Sequence, residues 1–498
     1  MNTILKKGLA LIILMSFTNC VDANNIAPEQ KDKKEDKKEL KEEKKDEKAE
    51  GKKDINKEEK EPEKETKENE FTGDIYSEAK SYLVKSLTEK NLQLFQLKKT
   101  IKTGEIKEAQ NRIWKEWKEA NDQKQEEKLG HLEPLSQYNK SSWTLLEEWD
   151  IPAIMPFHYG SKDDITEGKY PLFIYTHGSG PKAREWQMGF IMCRGFDDAP
   201  SAYFIPQIPN EGPYYRWWQK AKQFAWEKLL RLGFVGGEID PNRVYIIGVS
   251  EGGYGSQRLA SFYADYLAGA GPMAGGEPLE NTPVENCRNI AFSLRTGSED
   301  YMYCRNLLTA YAKETFERLQ KENPGAFNHN IQLIPGEGHI ISYSETTPWL
   351  KSFSRVAQPK QVMWEDFELD GQRRKGFYNI QIIERPQKDG RTFYNMDIKG
   401  NVVNITVDNV EYQPTEKDKR WGIWLRFNKK YTPLKSGKIK LYLSEKLVNL
   451  DEEVTVNING NRVFQGKVEP NIESMVNSCA TFFDPERIFP ASLVLEIK

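Results

Sequence analysis

A single pentapeptide constrains this chain more than any other feature. The segment GVSEG at residues 248–252 lies at the end of an apolar run, residues 243–249, and a stretch rich in small residues follows it. Where a strand turns sharply into a helix, the two glycines keep side chains away from the crowded backbone. The turn lifts the serine above the sheet and points the first N–H groups of the helix at the reacting oxygen. The pattern predicts that Ser250 is a nucleophile, and the alternative is a purely structural turn.

A serine hydroxyl is a poor nucleophile unless a general base takes its proton. We expect this base to be a histidine that follows the serine in the chain. Two histidines follow Ser250, namely His329 and His339. His339 ends the segment LIPGEGH, in which a predicted strand runs into a glycine-containing loop, so we expect it to be the base. His329 precedes that strand, a position typical of a surface or structural histidine.

The acid is expected after the strand that precedes the histidine. The predicted strand at residues 289–295 leads into the loop TGSED at residues 296–300. Asp300 at the end of this loop is the predicted acid, which would orient the imidazole and stabilise its charged form. Glu299 is the alternative. A carboxylate in a loop is usually only solvated, so the assignment of Asp300 depends on its place in the chain order.

An oxyanion hole needs two backbone donors. One donor is expected to be the N–H of Glu251, the residue after the nucleophile. The predicted strand YPLFIYT at residues 170–176 is followed by HGSG, and this loop offers the second donor. The N–H of Ser179 is the better candidate and that of Gly178 is next, while His177 is expected to have an architectural role.

An aromatic segment is expected at the edge of the sheet where ligands bind, because it follows the predicted strand at residues 201–205. These side chains either contact substrate, by stacking on sugar rings or holding a phenolic acyl group, or they pack in the core. Arg216 either binds a carboxylate or pairs with an acid. The candidate substrate contacts are Tyr214, Tyr215, Arg216, Trp217, Trp218 and, from the oxyanion loop, Trp186.

The middle of the chain, residues 142–360, alternates strand-like and helical runs, among them a predicted strand at residues 143–152 and a predicted helix at residues 214–232. This pattern predicts an α/β fold with a doubly wound, mostly parallel sheet. Residues 71–141 are predicted to be a helical cap or collar, with apolar residues at helical steps that continue through Leu92, Leu94 and Leu97. Short strand candidates fill residues 361–498, with the hairpin signal Asn459-Gly460 between two of them, and predict a β-sandwich accessory domain.

The N-terminus has the pattern of a signal peptide over residues 1–20, with two lysines and then a short apolar run. Cys20 closes it in a loose lipobox, which predicts lipidation; ordinary cleavage with an incidental cysteine is the alternative. Residues 21–70 are mostly Lys and Glu and are expected to form a disordered tether. We therefore expect an exported outer-membrane or cell-surface lipoprotein, held to the membrane by a lipid on Cys20, with a periplasmic location as the alternative.

Composition removes several other classes of partner. The formal net charge of −3 gives no reason to expect a nucleic-acid partner, and no cofactor is expected. The five histidines and the cysteines show no metal-ligand spacing, so no metal site is expected. In an exported protein Cys287 either pairs with Cys304 or both are free and buried.

These motifs resemble those of the α/β-hydrolase superfamily. The run IDPNRVY at residues 239–245, with Gly253 after the pentapeptide, is similar to polyhydroxybutyrate-depolymerase-like and feruloyl-esterase-like hydrolases. It also resembles the prolyl-oligopeptidase-type hydrolases described as predicted peptidases, although no β-propeller precedes the catalytic region. The likeness covers about residues 145–355, and the whole layout resembles secreted lipoprotein hydrolases of Bacteroidota.

The resemblance implies a Ser-His-Asp triad at Ser250, His339 and Asp300. It favours hydrolysis of a carboxylic ester, such as an acyl or feruloyl ester on polysaccharide fragments. A serine peptidase of prolyl-oligopeptidase type uses the same triad and is the first alternative. A glycan-binding surface lipoprotein with an inactive hydrolase scaffold is the second. Glu251 departs from many relatives, which have an apolar or aromatic residue there, and is expected to disfavour anionic substrates.

Overall fold

The computed structural model describes residues 73–89, 91–148, 151–210, 212 and 215–498. Within them the helices are α1 (Ile75–Ser86), α2 (Ile106–Gln123), α3 (Lys182–Gly195), α4 (Lys220–Gly236), α5 (Glu251–Tyr263), α6 (Arg305–Glu322), α7 (Thr346–Lys351) and α8 (Ile472–Phe482). The strands of the first sheet are β1 (Ser141–Glu148), β2 (Ile151–Lys162), β3 (Tyr170–Thr176), β4 (Ser201–Pro206), β5 (Ile239–Val249), β6 (Gly269–Met273), β7 (Ala291–Gly297) and β8 (His329–Ile334). The predicted signal peptide, Cys20 and the tether lie outside the described residues.

The first sheet has the strand order β1-β2-β4-β3-β5-β6-β7-β8. The strands from β4 to β8 pair in parallel, and β1 and β2 form an antiparallel edge. Alternate residues of β3 enter two different cores. Leu172 and Ile174 pack with apolar residues of α4, α5 and α6, whereas Phe173 and Tyr175 pack with those of α3 and α7. Helices therefore cover both faces, and this mixed sheet fits an α/β-hydrolase fold.

Two boundaries in this region differ from the prediction. The strand expected at residues 143–152 is part of two antiparallel strands, β1 and β2, with residues 149–150 outside the described residues. The helix expected to begin near residue 214 begins instead at Lys220. Helix α3 and strand β6 were not predicted; β6 has the sequence GAGPM, which lacks the β-branched residues by which strands are recognised.

The N-terminal helices α1 and α2 pack on each other and on α8 and α4. The helical pattern predicted through Leu92, Leu94 and Leu97 is wrong after α1, because residues 92–99 have no regular secondary structure. The backbone of Phe95 instead exchanges hydrogen bonds with the side chain of Asn477 in α8, at 2.9 Å in each direction. Tertiary contacts therefore override the local periodicity in this segment.

The C-terminal region holds two further sheets. Their strands are β9 (Gln361–Asp366), β10 (Gly376–Phe377), β11 (Ile380–Glu384), β12 (Arg391–Lys399), β13 (Val402–Lys417), β14 (Trp424–Pro433), β15 (Lys438–Leu443), β16 (Val454–Ile458), β17 (Asn461–Gly466) and β18 (Ala491–Glu496). One sheet has the order β17-β16-β13-β12-β9 with β14 paired to β13, and the other has the order β10-β11-β15-β18. The rings of Trp364 and Phe377 stack at 4.9 Å and join the two sheets.

Two details of this region test the sequence interpretation. Asn459 and Gly460 both have positive φ, 51° and 80°, and connect β16 to β17 as the hairpin signal predicts. The expectation that residues 361–498 contain only strands is wrong, because α8 is a helix of 11 residues. Its apolar residues recur at three- and four-residue steps, namely Ile472, Met475, Val476, Cys479 and Phe482, a helical spacing that the strand prediction passed over.

The four cysteines of the described region, Cys193, Cys287, Cys304 and Cys479, are all free and buried. The pairing of Cys287 with Cys304 is therefore not formed, and the alternative of free cysteines describes the structure. None of the helices among the described residues is long and apolar enough to cross a membrane.

Candidate active site

Ser250 stands at a strained turn between β5 and α5. Its φ of 57° and ψ of −114° define a backbone conformation that residues other than glycine seldom adopt. A Cβ on Gly248 would lie 2.1 Å from the carbonyl oxygen of Gly252, and one on Gly252 would lie 1.9 Å from that of Thr176. Both glycines are therefore required sterically, as the pentapeptide suggested.

The structure brings the predicted base and acid to Ser250. The His339 Nε2 lies 3.0 Å from the Ser250 Oγ, and the His339 Nδ1 lies 2.6 Å from the Asp300 Oδ2. Asp300 is almost fully buried, at 3% exposure. His329, the other candidate base, has its Nδ1 against the carbonyl oxygen of Phe327. Glu299, the other candidate acid, is exposed.

A third residue holds Asp300, and the sequence interpretation did not identify it. Arg305 donates from Nε to the Asp300 Oδ2 over 2.8 Å and from Nη2 to Oδ1 over 2.7 Å. Burial of Asp300 opposes ionisation, but the hydrogen bonds from His339 and Arg305 outweigh it and lower the pKa of the carboxyl. The Nη1 of Arg305 also donates to the Tyr254 hydroxyl over 3.2 Å, so Arg305 links the acid to helix α5.

The loop after β3 lies against the nucleophile. A Cβ on Gly178 would be 3.4 Å from the Ser250 Cβ, so the loop backbone approaches the serine closely. His177 is fully buried, and burial lowers its pKa to about 4. Its Nε2 accepts a hydrogen bond from the Ile208 N–H at 3.0 Å, which gives it the architectural position expected. Ser179 is exposed at the tip of the loop.

Glu185 in α3 occupies the space that the glycines of this loop leave open. A Cβ on Gly180 would lie 2.4 Å from the Glu185 Oε1, and one on Gly178 would lie 3.1 Å from Oε2. Burial raises the pKa of this carboxyl. No local pattern indicated this residue, because its proximity to the loop depends on how α3 folds back over it.

Three of the six expected substrate contacts have structural roles. Trp217 is completely buried and donates from Nε1 to the His177 carbonyl oxygen over 2.9 Å, so its assignment as a substrate contact is wrong. Tyr215 is buried and donates to the Gly178 carbonyl oxygen over 2.7 Å. Trp186 is 8% exposed and donates to the Ile205 carbonyl oxygen over 2.8 Å. Tyr214 lies outside the described residues.

Arg216 and Trp218 are partly exposed. The Arg216 Nη1 lies 3.4 Å from the Glu251 Oε1, so the arginine pairs with an acid of this chain, the second of the two expected possibilities. Arg258 covers the Trp218 ring at 4.0 Å. Glu251 is 9% exposed, and burial raises the pKa of its carboxyl to about 7 despite the charge of Arg216.

The expected oxyanion donor at Glu251 lies at the start of helix α5. Glu251 is its first residue, and the first N–H groups of a helix have no partner within the helix. The Ser250 N–H donates to the Met273 carbonyl oxygen, which fixes the serine backbone against β6. Across the described part of the chain, no group of three or more His, Cys, Asp or Glu residues is arranged to hold a metal ion.

Comparison with protein-family models finds no matching family, and comparison with curated proteins finds no match. Among solved structures the chain is similar to a thermostable esterase, at 20% identity and a TM-score of 0.34, over 44% of this chain and 64% of that chain. It is also similar to a ferulic acid esterase from Anaeromyces mucronatus, at 14% identity and a TM-score of 0.32, over 46% of this chain and 93% of that chain. A third is the S-formylglutathione hydrolase of Staphylococcus aureus, at 13% identity and a TM-score of 0.30, over 43% of this chain and 97% of that chain. The chain thus spans less than two thirds of the thermostable esterase's length.

Proposed function

We propose that this protein is a serine hydrolase that cleaves a carboxylic ester through an acyl-enzyme. One observation carries the proposal: His339 bridges Ser250 and Asp300, at 3.0 Å and 2.6 Å, at the end of a strained strand-to-helix turn. A base that contacts a serine, and an acid that orients this base, are the arrangement that activates a hydroxyl.

In the proposed reaction the His339 Nε2 takes the proton of the Ser250 hydroxyl as Oγ attacks the carbonyl carbon. The N–H groups of Glu251 and of Ser179 or Gly178 would stabilise the oxyanion. The imidazolium then protonates the leaving alcohol, and the ester bond to it breaks. A water molecule, deprotonated by the same histidine, releases the acid and restores the serine.

The bond is proposed to be an ester because of the motif resemblance, since the three side chains serve ester and peptide hydrolysis alike. Acyl or feruloyl esters on polysaccharide fragments are the proposed substrates, with Arg216 and Trp218 as the partly exposed contacts. The test is a panel of p-nitrophenyl acetate, methyl ferulate and chromogenic peptides. Turnover of esters with no peptide cleavage supports the proposal, and the opposite preference makes the protein a peptidase.

The mechanism is tested with a fluorophosphonate probe on the wild type and on Ser250→Ala. We expect labelling of the wild type and complete loss in the variant. Labelling that persists in Ser250→Ala would place the nucleophile elsewhere. A wild type that neither labels nor turns over the panel would favour a glycan-binding protein with an inactive scaffold, and binding of polysaccharide by the full chain would then be measured.

We further propose that the chain is exported and anchored by a lipid on Cys20, with residues 21–70 as a tether and the C-terminal region as a β-sandwich accessory domain. The support for export is the N-terminal sequence pattern. Radiolabelled palmitate should be incorporated by the wild type and not by Cys20→Ala. Incorporation by neither protein would leave ordinary cleavage as the explanation of the N-terminal pattern.

A further inference from the structure

We propose that the hairpin of residues 416–426, formed by the ends of β13 and β14, is a positioning element of the active site. We call it the bracing hairpin. It packs against the loop of residues 300–305 and thereby holds Asp300 in its contact with His339. This inference rests on the proposed function, and it gives the C-terminal region a task in the reaction itself.

The loop that the hairpin contacts has a strained backbone. Tyr303 and Cys304 are consecutive residues with positive φ, 54° and 58°, in the left-handed region. Residues with side chains seldom occupy this region, and they stay there only where the surrounding structure holds them. Asp300 and Arg305 lie at the two ends of this loop, so its conformation determines how the guanidinium meets the carboxylate.

The bracing hairpin contacts both strained residues. The rings of Tyr303 and Trp421 are 4.6 Å apart. Cys304 is 4% exposed and belongs to a small apolar cluster with Leu308 of α6 and Leu425 of β14. The left-handed pair is therefore held by side chains of the C-terminal region, which lies more than 100 residues further along the chain.

The tip of the bracing hairpin is itself ordered by Asp418. Its Oδ1 accepts from the Trp421 N–H over 2.7 Å, and its carbonyl oxygen accepts from the Gly422 N–H over 3.0 Å. The Asp418 N–H donates to the Ile423 carbonyl oxygen over 2.9 Å. Gly422 has a φ of 67°, which glycine adopts without strain. Trp421 is thus presented from a closed turn.

The base of the hairpin is anchored on α6, the helix that begins at Arg305. The Tyr311 hydroxyl donates to the Glu416 carboxylate at 3.1 Å. Arg426 forms an ion pair with Glu314 at 2.7 Å and lies over the Tyr311 ring at 3.8 Å. The hairpin therefore contacts the loop at its tip and the following helix at its base.

These contacts form a path from the bracing hairpin to His339, the proposed catalytic base. Trp421 contacts Tyr303, the loop places Arg305 on Asp300, and Asp300 contacts His339. A loosened hairpin should leave binding of a small ester unchanged, because neither the serine nor the loop after β3 is touched. It should slow the chemical step, because a small misplacement of a catalytic group lowers the rate steeply.

The test compares Trp421→Ala with two matched variants. Trp424→Ala removes a tryptophan of the same hairpin that is 40% exposed and is not part of the path. Trp421→Phe keeps a ring against Tyr303. Each protein is assayed for fluorophosphonate labelling rate and for kcat and KM on p-nitrophenyl acetate, and thermal unfolding is measured to establish that it is folded.

For Trp421→Ala we expect a fall of about tenfold or more in the labelling rate and in kcat, with KM within about twofold of the wild type. Trp424→Ala should match the wild type, and Trp421→Phe should recover most of the lost rate. Deuterium uptake at residues 298–306 should rise in Trp421→Ala alone. A labelling wild type with an unaffected Trp421→Ala would overturn the bracing role and leave the proposed function intact. A wild type that does not label would overturn both.

Discussion

Arg305 holds Asp300 with two parallel hydrogen bonds of 2.8 and 2.7 Å, while His339 contacts the same carboxylate at 2.6 Å. Paired, nearly parallel contacts between a guanidinium and a carboxylate fix the plane of the carboxylate as well as its position. The acid of the proposed triad therefore has its orientation set by Arg305. The guanidinium also compensates part of the charge that would otherwise face the imidazole.

Replacing Arg305 by Gln should move the acid limb of the activity profile to higher pH. In the wild type the bonds from His339 and Arg305 outweigh burial and keep the pKa of Asp300 low. Without the guanidinium, burial is opposed by the bond from His339 alone, so the pKa of this carboxyl rises and Asp300 becomes protonated at a higher pH. The loss of activity in the variant should therefore grow as pH falls.

The measurement is kcat/KM against pH on a p-nitrophenyl ester for the wild type and Arg305→Gln. Arg318→Gln is the matched control, because Arg318 lies on the same helix and pairs with Glu322 at the surface. Its profile should coincide with that of the wild type. An acid limb that stays in place in Arg305→Gln would contradict the role of the guanidinium.

Glu251→Gln should change how the free energy of unfolding depends on pH. Burial raises the pKa of the folded-state Glu251 to about 7, above its ordinary value of 4.5. A raised carboxyl pKa means that the folded protein binds the proton more tightly, so stability falls as pH rises from 4.5 through 7 and is level above that. The variant lacks this group and should gain roughly 3 kcal/mol on the wild type between pH 4.5 and pH 8.

Chemical denaturation at the two pH values measures this difference. Glu322→Gln is the control, because Glu322 is a half-exposed surface residue of α6 that pairs with Arg318. It should change stability by less than about 1 kcal/mol at either pH. Parallel pH dependences for the wild type and Glu251→Gln would show that the carboxyl titrates near its ordinary value.

Gly248→Ala should destroy the turn at the nucleophile. The new methyl group would lie 2.1 Å from both the Gly252 carbonyl oxygen and the Thr176 Oγ1. Thr176 cannot yield easily, since its hydroxyl donates to the Gly252 carbonyl oxygen over 2.8 Å. We expect a loss of about 3 kcal/mol or more in the free energy of unfolding, together with loss of fluorophosphonate labelling.

Gly236→Ala is the comparison for this variant. Gly236 is the last residue of α4, and a Cβ there would meet no atom within 4 Å. Alanine should be neutral or stabilise the protein by up to about 1 kcal/mol, because it lowers the conformational freedom of the unfolded chain. Equal stability of Gly248→Ala and the wild type would mean that the turn can relax around a side chain.

Local signals account for what the sequence could predict. The turn at Ser250, the loop after β3 and the alternation of strands and helices are each encoded within a few residues, so they could be recognised without the fold. The order of Asp300 and His339 along the chain was enough to select them as the two side chains that the sheet brings to Ser250. In the folded chain, the loops that follow β5, β7 and β8 bring the three side chains together.

The features that could not be predicted depend on contacts between distant segments. Arg305 contacts Asp300 across the left-handed kink at residues 303–304, and Tyr303 in that kink packs against Trp421 of the bracing hairpin. Trp217 could not be separated from a substrate contact, since aromatic residues suit both roles and only its hydrogen bond to the His177 carbonyl shows it to be core. Helix α8 differs from these features, because its apolar residues already have helical spacing in the sequence.

A buried ion-pair cluster joins the C-terminal region to the region of the first sheet. Lys429 of β14 pairs with Glu285 at 2.7 Å and with Glu365 at 3.0 Å, and both carboxylates are buried. Lys429→Met would leave these two charges in the interior, with Arg391 and the Tyr412 hydroxyl as the remaining side-chain partners of Glu365. Breaking such a buried pair should cost about 3–5 kcal/mol. Lys430→Met is the control, because Lys430 pairs with Glu411 at the surface.

The pH dependence of this loss separates a charge effect from a packing effect. In the wild type the attraction of Lys429 outweighs burial and lowers the pKa of Glu285. Without Lys429, burial raises that pKa, so the folded variant takes up protons at a higher pH than the unfolded chain does. The wild type loses stability as pH falls while the variant recovers it, and the gap between them should narrow from pH 7 to pH 4. A gap that is constant with pH, or no larger than that of Lys430→Met, would show that the lysine contributes by its methylene groups and not by its charge.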